Sequence, residues 1–224
     1  MATIRVLVAC EESQAITKAF RALGHEAFSC DILPCSGGHP EWHFQCDIFD
    51  VIDKGWDLMI AHPPCTYLSV SGARHLYNKD KTPNLERYKN QRLALDFVQK
   101  LMDVNIPRIV IENPVSVISS KIRKPDQIVH PYWFGDSATK STCLWIKNLP
   151  KLNATDIVPK GEFKEWTDKK SGKTKKQSLW YYEALLKAKT PSERRTLRSK
   201  TFEGMAKAMA EQWSNFIINQ KQKS

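Results

Sequence analysis

Apolar and polar positions along the first two-thirds of the chain alternate between two periods. "IRVLVAC" is a short apolar run rich in β-branched residues and predicts a strand. "SQAITKAFRALG" places its apolar residues at helical spacing, with Gly24 as the C-terminal stop. "HEAFSCDI" predicts a second strand ending near Asp31, and "WHFQCDIF" a third short strand or turn that contains Asp47. "WDLMIA" predicts a fourth, and residues 73–84 are polar and read as loop. "NLERYKNQRLALDFVQKLMDV" predicts an amphipathic helix with Leu93, Phe97, Val98 and Leu101 on one face. "NIPRIVIENP" then predicts a fifth strand closed by Asn113 and Pro114. This order predicts an α/β fold, Rossmann-like, with a mostly parallel central sheet covered by helices on both sides.

The texture changes after about residue 125. "PYWFGDSATKSTCLWIKNLPKL" is aromatic and strand-like, and "KGEFKEWTDKKSGKTKKQ" is charged, with a hairpin turn expected at Ser171-Gly172. The chain then reads as two helices. The first has Thr190 as cap, Pro191 at its first position and Glu193 three residues on; the second is "MAKAMAEQWSNFII". Three regions are expected: 1–142 catalytic, 143–190 a short basic recognition region, and 191–220 helices returning to the first.

Charge changes this picture. The net charge is +10 and the pI about 9.3, which points to a polyanionic partner. Residues 151–200 hold fourteen Lys and Arg against six Asp and Glu, interleaved with Trp166, Trp180, Tyr181 and Tyr182. Cations bind phosphates and aromatic rings stack on bases, so this segment is a nucleic-acid interface or a solvated lysine-rich loop. With 42% hydrophobic and 26% charged residues the composition is globular. No apolar run approaches the roughly 18 residues of a membrane span, and no secretory leader is read, so a cytoplasmic protein with no membrane partner is expected. The six cysteines show no disulfide spacing. Cys30, Cys35, His39, His43 and Cys46 match no paired-ligand zinc pattern, and no metal is expected.

"AHPPCTYLSVSG" is the run that carries chemistry. Two prolines cannot sit in a helix or a central strand, so Cys65 lies on a stiff loop just past a strand end. A cysteine there is a nucleophile, a metal ligand or a bystander. The loop after "LVAC", the Cys65 loop and the loop at Glu112-Asn113 all leave the carboxyl ends of strands, where open parallel sheets bind ligands. Asp31 and Asp47 end neighbouring strands and suit the ribose hydroxyls and exocyclic amine of an adenosine cofactor. A thiol and a carboxyl on separate loops suit one reaction: the thiolate adds to C6 of a pyrimidine, the acid protonates N3, and C5 attacks an electrophilic methyl. His62 and His75 flank the loop; neither is read as a base, and His75 is a candidate phosphate contact.

"DLMIAHPPCTYLS", "RLALDFVQKLMDVNIPRIVIENP", "RVLVACEESQAITKAFRALGHEAFSCDI", "QCDIFD" and "FEGMAKAMAEQW" together resemble the DNA cytosine-5 methyltransferase family, particularly its short phage and prophage members. The ordered set covers most of residues 4–150 and about 195–213. The resemblance implies Cys65 as nucleophile, Glu112 as the N3 acid and Asn113 as its loop partner. It implies S-adenosyl-L-methionine (AdoMet) held by Ala9, Cys10, Glu11, Glu12, Ser13, Asp31, Ile32, Asp47, Ile48, Pro63, Pro64 and Gly204. It implies contacts to a flipped cytosine and its DNA from Ser69, Ser71, Arg74, Arg92, Lys140, Thr142, Lys169, Lys170 and Lys173. The implied partner is double-stranded DNA, bound by a monomer with no obligate protein partner, in phage self-protection, restriction-modification or base priming. The sequence departs from the family in three places. "ACEES" replaces the usual Gly-x-Gly turn, Thr66 stands where Gln is usual, and "TKSTCLW" only loosely matches the Gln-x-Arg-x-Arg strand, with Lys140 and Thr142 nearest. An RNA cytosine-5 methyltransferase and a non-catalytic decoy that kept the fold are the alternatives.

Overall fold

A computed structural model describes residues 2–169, 171–190, 193, 197–199 and 201–223. Lys170 and Pro191, both named above, lie outside the described residues. Five parallel strands form the body of the sheet: β1 (Arg5–Ala9), β2 (Glu26–Asp31), β3 (His43–Gln45), β4 (Leu58–Ala61) and β5 (Ile109–Pro114). Two more complete it, β6 (Gln127–Val129) and β7 (Thr142–Lys147), in the order β3-β2-β1-β4-β5-β7-β6. β7 runs opposite to the other six strands. The fold is the expected Rossmann-like α/β sheet. Since β7 is an interior strand, the part of residues 143–190 outside the sheet begins after it.

Alternation along each strand builds two cores, because successive side chains in a strand point to opposite faces. Val6, Val8, Leu58, Ile60, Val110 and Leu144 face one side. There they meet α1 (Ala15–Ala22) and the C-terminal helix α5 (Glu203–Lys221) through Ile16, Phe20, Met209, Trp213 and Ile217. Leu7, Ala9, Met59, Ala61, Ile111 and Trp145 face the other side. They meet α2 (Leu85–Asp103) through Val98 and Leu101, and the one-turn α3 (Ile118–Lys121) through Ile118. Burying a large side chain in such a core is worth about 1.5–3 kcal/mol.

Local signals explain most element ends. Gly24 takes φ +81 just past the C-cap of α1. Asn84 caps α2 by accepting from the Arg87 N–H at 3.1 Å. Thr190 Oγ1 accepts from Glu193 N–H at 3.1 Å, while Glu193 Oε2 accepts from Lys189 N–H at 2.7 Å, so the cap expected there is made. One reading of α2 fails: Leu93 is 57% exposed. Five residues before Val98, it lies about 140° round the helix from it, and Ala94 and Leu95 face the core instead.

Beyond the sheet, β8 (Phe163–Thr167) and β9 (Thr174–Ser178) form a two-stranded antiparallel ribbon, followed by α4 (Leu179–Lys187). The turn falls at 168–173, where Gly172 N–H donates to Asp168 O at 2.8 Å. Among the described residues, no helix is long and apolar enough to cross a membrane.

Candidate active site

The sheet order reverses between β1 and β4: β1 continues to β2 on one side and β4 lies on the other. Loops leaving the two strands diverge there and open a crevice. The post-β1 turn and the Cys65 loop both start at it, joined by the His62 N–H to Ala9 O hydrogen bond at 2.9 Å.

Cys65 and Glu112 are brought to one place by register. Ala61 pairs with Ile111, so the next residues, His62 and Glu112, stand level. His62 Nδ1 lies 2.9 Å from Glu112 Oε2, with the two side chains 13% and 12% exposed. Asn113 Nδ2 donates to Pro63 O at 2.8 Å and pins the Cys65 loop to β5. Both prolines help: each lacks an N–H and fixes φ, so the backbone past β4 has little freedom to move the thiol. Cys65 N–H is followed by a tight turn in which Leu68 and Ser69 N–H both donate to Cys65 O, at 3.1 and 2.9 Å. Arg87 and Gln91 of α2 hold the same loop by donating to Thr66 O at 2.7 Å and Tyr67 O at 3.0 Å.

Electrostatics follow from this packing. Burial raises the Cys65 thiol pKa and the Glu112 charge raises it further, against the opposing pull of Lys140 and Arg198. Burial, the largest influence, disfavours charge on both His62 and Glu112, but their mutual hydrogen bond and the surrounding charges (Glu112 and Glu11 for His62, Lys140 and His62 for Glu112) together outweigh it. His62 is therefore held above the usual histidine range and Glu112 below the usual carboxylate range. The pairing thus favours a charged imidazolium beside a charged carboxylate. Lys140 acts on Cys65, His62 and Glu112 alike.

Four buried polar atoms at this end of the sheet have no protein partner: His62 Nε2, Asn113 Oδ1, Ser116 Oγ and Thr142 Oγ1. An unpaired buried polar atom costs about 1–3 kcal/mol, so a cluster of them marks a place suited to a polar ligand.

The residues expected at the cofactor lie around the post-β1 turn and the ends of β2 and β3, with some exceptions. Cys10 takes φ 58 and Gln14 φ 57, left-handed conformations at non-glycine residues. The turn thus makes the backbone reversal that a Gly-x-Gly would make, at a strain of about 1–2 kcal/mol per residue. Gln14 holds it: its amide donates to His39 O at 2.8 Å and accepts from His39 N–H at 3.1 Å, while Ser36 N–H donates to Glu12 O at 2.8 Å. Ser13, half-buried, lies in the same turn with its carbonyl against Gly37. Asp31 and Asp47 both act on the Cys10 thiol, which burial, first, and their charges push up to about 12. Each carboxylate also accepts from its own loop, Asp31 from Leu33 N–H at 2.9 Å and Asp47 from Phe49 N–H at 3.0 Å. Ile32 is 75% exposed beside Asp31.

Three residues expected at the cofactor do other work. Glu11 turns its buried carboxylate to the start of α1, accepting from Ile16 N–H at 2.7 Å, Thr17 N–H at 3.3 Å and Thr17 Oγ1 at 2.7 Å. Ile48 points into the core beside Val51, Ile52 and Trp56. Gly204 donates its N–H to Asp136 Oδ2 at 3.0 Å, and a Cβ there would lie 1.7 Å from Phe134 O, so it is needed for close packing.

The expected substrate residues are dispersed. Ser69 and Ser71 hydrogen-bond each other at 2.8 Å, and Arg74 donates to His75 Nε2 at 3.2 Å on the exposed segment beyond Cys65. Arg92 lies with Tyr88, Lys89 and Lys121 along a shallow groove beside α2. Thr142 is fully buried where β7 meets Pro114, and Lys169 and Lys173 are exposed on the ribbon turn. In the cysteine and histidine cluster, Cys30 Sγ and Cys46 Sγ lie 3.9 Å apart, but His43 engages Ser29 Oγ and Leu33 O, and His39 stacks on Trp42. Among the described residues, no group of three or more His, Cys, Asp or Glu is placed to hold a metal ion.

Sequence reasoning missed His62 and Arg198. A polar residue between buried Ala61 and Pro63 was a usable signal for the first. Arg198 sits in a run of charges that carries no such signal.

No protein-family model matches the chain, and no curated protein matches it. Among solved structures the chain is similar to the Dnmt2 methyltransferase of S. pombe, at 18% identity and TM-score 0.41, over 66% of this chain and 50% of that one. It is also similar to a triple mutant of DNMT2 from Spodoptera frugiperda, at 16% identity and TM-score 0.41, over 70% of this chain and 55% of that one. The chain thus spans about half the length of each.

Proposed function

We propose that this protein is an AdoMet-dependent DNA cytosine-5 methyltransferase. The observation that carries the reading is the Asn113–Pro63 hydrogen bond, which ties the Cys65 loop to the strand bearing Glu112 and aims a thiol and a carboxyl at one crevice. The cofactor fits the residues present. Asp31 and Asp47 suit ribose hydroxyls and an adenine amine, and the left-handed turn at Cys10 brings backbone close to both. Bound there, AdoMet supplies an electrophilic methyl group.

The chain's own residues then do the following. A cytosine stacked in a duplex is out of reach, so the target base is flipped into the crevice. Lys140 and Arg198 favour the Cys65 thiolate against burial. The thiolate forms a bond to C6 of the ring while N3 takes a proton that His62 passes through Glu112. The ring becomes enamine-like, and its C5 would take the methyl of a bound AdoMet, whose sulfur would keep the electron pair of the broken S–C bond. Loss of the C5 proton to solvent then expels Cys65 as the thiolate, and N3 returns its proton to Glu112, which restores the aromatic ring. His62 is a positioning residue here: it holds the proton and fixes the carboxyl. Asp31 and Asp47 orient the cofactor, and the basic segment within residues 143–190 grips the phosphate backbone.

The test is incubation with tritiated AdoMet and either duplex DNA or tRNA, repeated with Cys65→Ala. Label in DNA that the variant abolishes supports the reading. Label only in tRNA makes the substrate RNA, and label in neither supports a binding protein without activity. Bisulfite sequencing of DNA from expressing cells then gives the target base and its context.

A further inference from the structure

Cys10, Cys30, Cys35 and Cys46 gather at one edge of the sheet, and no step of the proposed reaction uses their sulfur atoms. Cys10 N–H donates to Cys30 O at 2.7 Å, Cys35 Sγ donates to Gln14 Oε1 at 3.2 Å, and Cys46 directly follows β3. Two of the thiols meet. Cys30 Sγ lies 3.9 Å from Cys46 Sγ and also donates to Cys46 O at 3.5 Å. Their sequence spacing carries no pairing signal. Strand register brings them together, since Cys30 stands opposite Phe44, two residues before Cys46.

The two positions differ in a way that packing alone does not require. Cys30 is 1% exposed in β2, whose backbone is paired to β1 on one side and β3 on the other. Cys46 is half-buried on the bend beyond β3, the edge strand of the sheet. One sulfur is fixed and shielded, and the other is reachable and movable. Each is followed by a carboxylate expected at the cofactor, Asp31 after Cys30 and Asp47 after Cys46.

We infer that Cys30 and Cys46 are a redox pair: a peroxide joins them as a disulfide, which draws Asp47 away from Asp31's edge of the crevice and weakens AdoMet binding. A disulfide needs its sulfurs about 2 Å apart, so the 3.9 Å contact must close by roughly the same amount. Cys30 is held by two neighbouring strands, so Cys46 makes the move and takes Asp47 with it. Asp47 accepts from Phe49 N–H at 3.0 Å, and the displacement therefore reaches the turn Ile48–Asp50 as well.

The chemistry balances with a peroxide as oxidant. The Cys46 sulfur attacks the O–O bond, which breaks; one oxygen stays on sulfur as a sulfenic acid and the other leaves as water. The Cys30 sulfur then attacks the Cys46 sulfur. The S–S bond forms, the S–O bond breaks, and the Cys30 proton leaves with the hydroxyl as a second water. Two thiols give up two electrons and two protons, and the peroxide takes them. Burial first, then Cys46, Cys10 and Asp31, raise the Cys30 thiol pKa, so the closing step is slow. In a reducing compartment such a bond is transient and is reopened by thiols, which suits a sensor rather than a structural staple. The pair itself stands on geometry; its effect on AdoMet rests on the proposed function.

The experiment uses the full-length Cys65→Ser protein, so that the crevice thiol cannot consume oxidant, and the same protein with Cys46→Ser added. Each is treated with hydrogen peroxide, cleared of excess, and divided into portions with and without dithiothreitol. Peptide mapping by mass spectrometry, amide hydrogen exchange at Ile48–Asp50 and AdoMet affinity by calorimetry are then read. Peroxide should join the Cys30 and Cys46 peptides with loss of two hydrogens and speed exchange at Phe49. AdoMet should bind roughly 10-fold more weakly, the factor that one lost hydrogen bond to a charged group brings. Dithiothreitol should reverse all three changes. The Cys46→Ser protein should melt and bind AdoMet as its parent does, and keep that affinity after peroxide. Absence of the Cys30–Cys46 linkage, a linkage of Cys30 to Cys10 instead, or a linkage that leaves Phe49 exchange unchanged would each overturn the proposal. So would a linkage that leaves the affinity of an AdoMet-binding protein unchanged. A reduced protein that binds no AdoMet, yet forms the linkage and changes Phe49 exchange, removes the cofactor reading and leaves the redox pair in place.

Discussion

The crevice at Cys65 and the β8–β9 ribbon are built in opposite ways. At the crevice, polar groups are buried, held by named hydrogen bonds and placed by two neighbouring strands of a seven-stranded sheet. On the ribbon, charges are exposed and the backbone pairs only with itself. A reacting thiol must be positioned to a fraction of an ångström before substrate arrives, and a packed core provides that rigidity. A surface ribbon whose charges act through solvent needs little core. The difference predicts that substitutions at the crevice remove chemistry, those beneath it remove stability, and those on the ribbon change stability little.

The largest effect should come from Cys65→Ala. Methyl transfer should fall by about 10⁴-fold or more, with no covalent adduct to 5-fluorocytosine DNA, while the melting temperature stays close to wild type. A variant that still methylates would break the comparison at its strongest point. Next, Trp213→Ala should cost about 3–5 kcal/mol in urea unfolding, because the ring is fully buried between α5 and the sheet and its Nε1 donates to Pro150 O. Replacing residues 163–178 by a short Gly-Ser linker should cost far less in the same assay, since the ribbon buries almost nothing.

His62→Gln sharpens the crevice side. Activity should drop about 10- to 100-fold, within the range of general acid–base contributions. The pH profile is the diagnostic readout. Glu112 has its folded pKa depressed, so its pairing with His62 is lost only as pH falls through that lowered value. His62 has its folded pKa raised, so the shared proton, and the stability it brings, is lost as pH rises through that raised value. Cys65, raised by burial, gains thiolate over the same rise. Wild type should therefore show a bell whose falling limb belongs to the pair, and His62→Gln should move that limb to lower pH. An unmoved limb would show that His62 does not hold the proton. The smallest effect belongs to Lys169→Ala, which should change stability by less than about 0.5 kcal/mol and register only as a weaker salt dependence of DNA binding.

Much of the crevice was legible locally. Cys65 was found because Pro-Pro after an apolar run can only be a strand end, and Glu112 because "RIVI" before Asn-Pro marks another. Its polarity between Ala61 and Pro63 hints at a buried role for His62, but its partner depends on Ala61 standing opposite Ile111, a pairing between residues fifty apart. Glu11 and Ile48 were assigned by position in a motif, whereas side-chain direction decided what they do: one caps α1 and the other fills the core. Leu93 was misplaced because a few apolar residues fit more than one helical phase, and contact with the sheet selects among them.

The sequence by itself determined the periods of its elements, the stiffness of the Cys65 loop, the helix caps and the excess of positive charge beyond the sheet. These follow from φ restrictions, side-chain hydrogen bonding and composition, all of which act within a few residues. The tertiary structure alone decided that β4 and β5 lie side by side in register, that β7 enters the sheet antiparallel, and that His62 meets Glu112. Those outcomes depend on pairing between distant strands, where burial of both sheet faces fixes register and the sequence of either strand alone cannot.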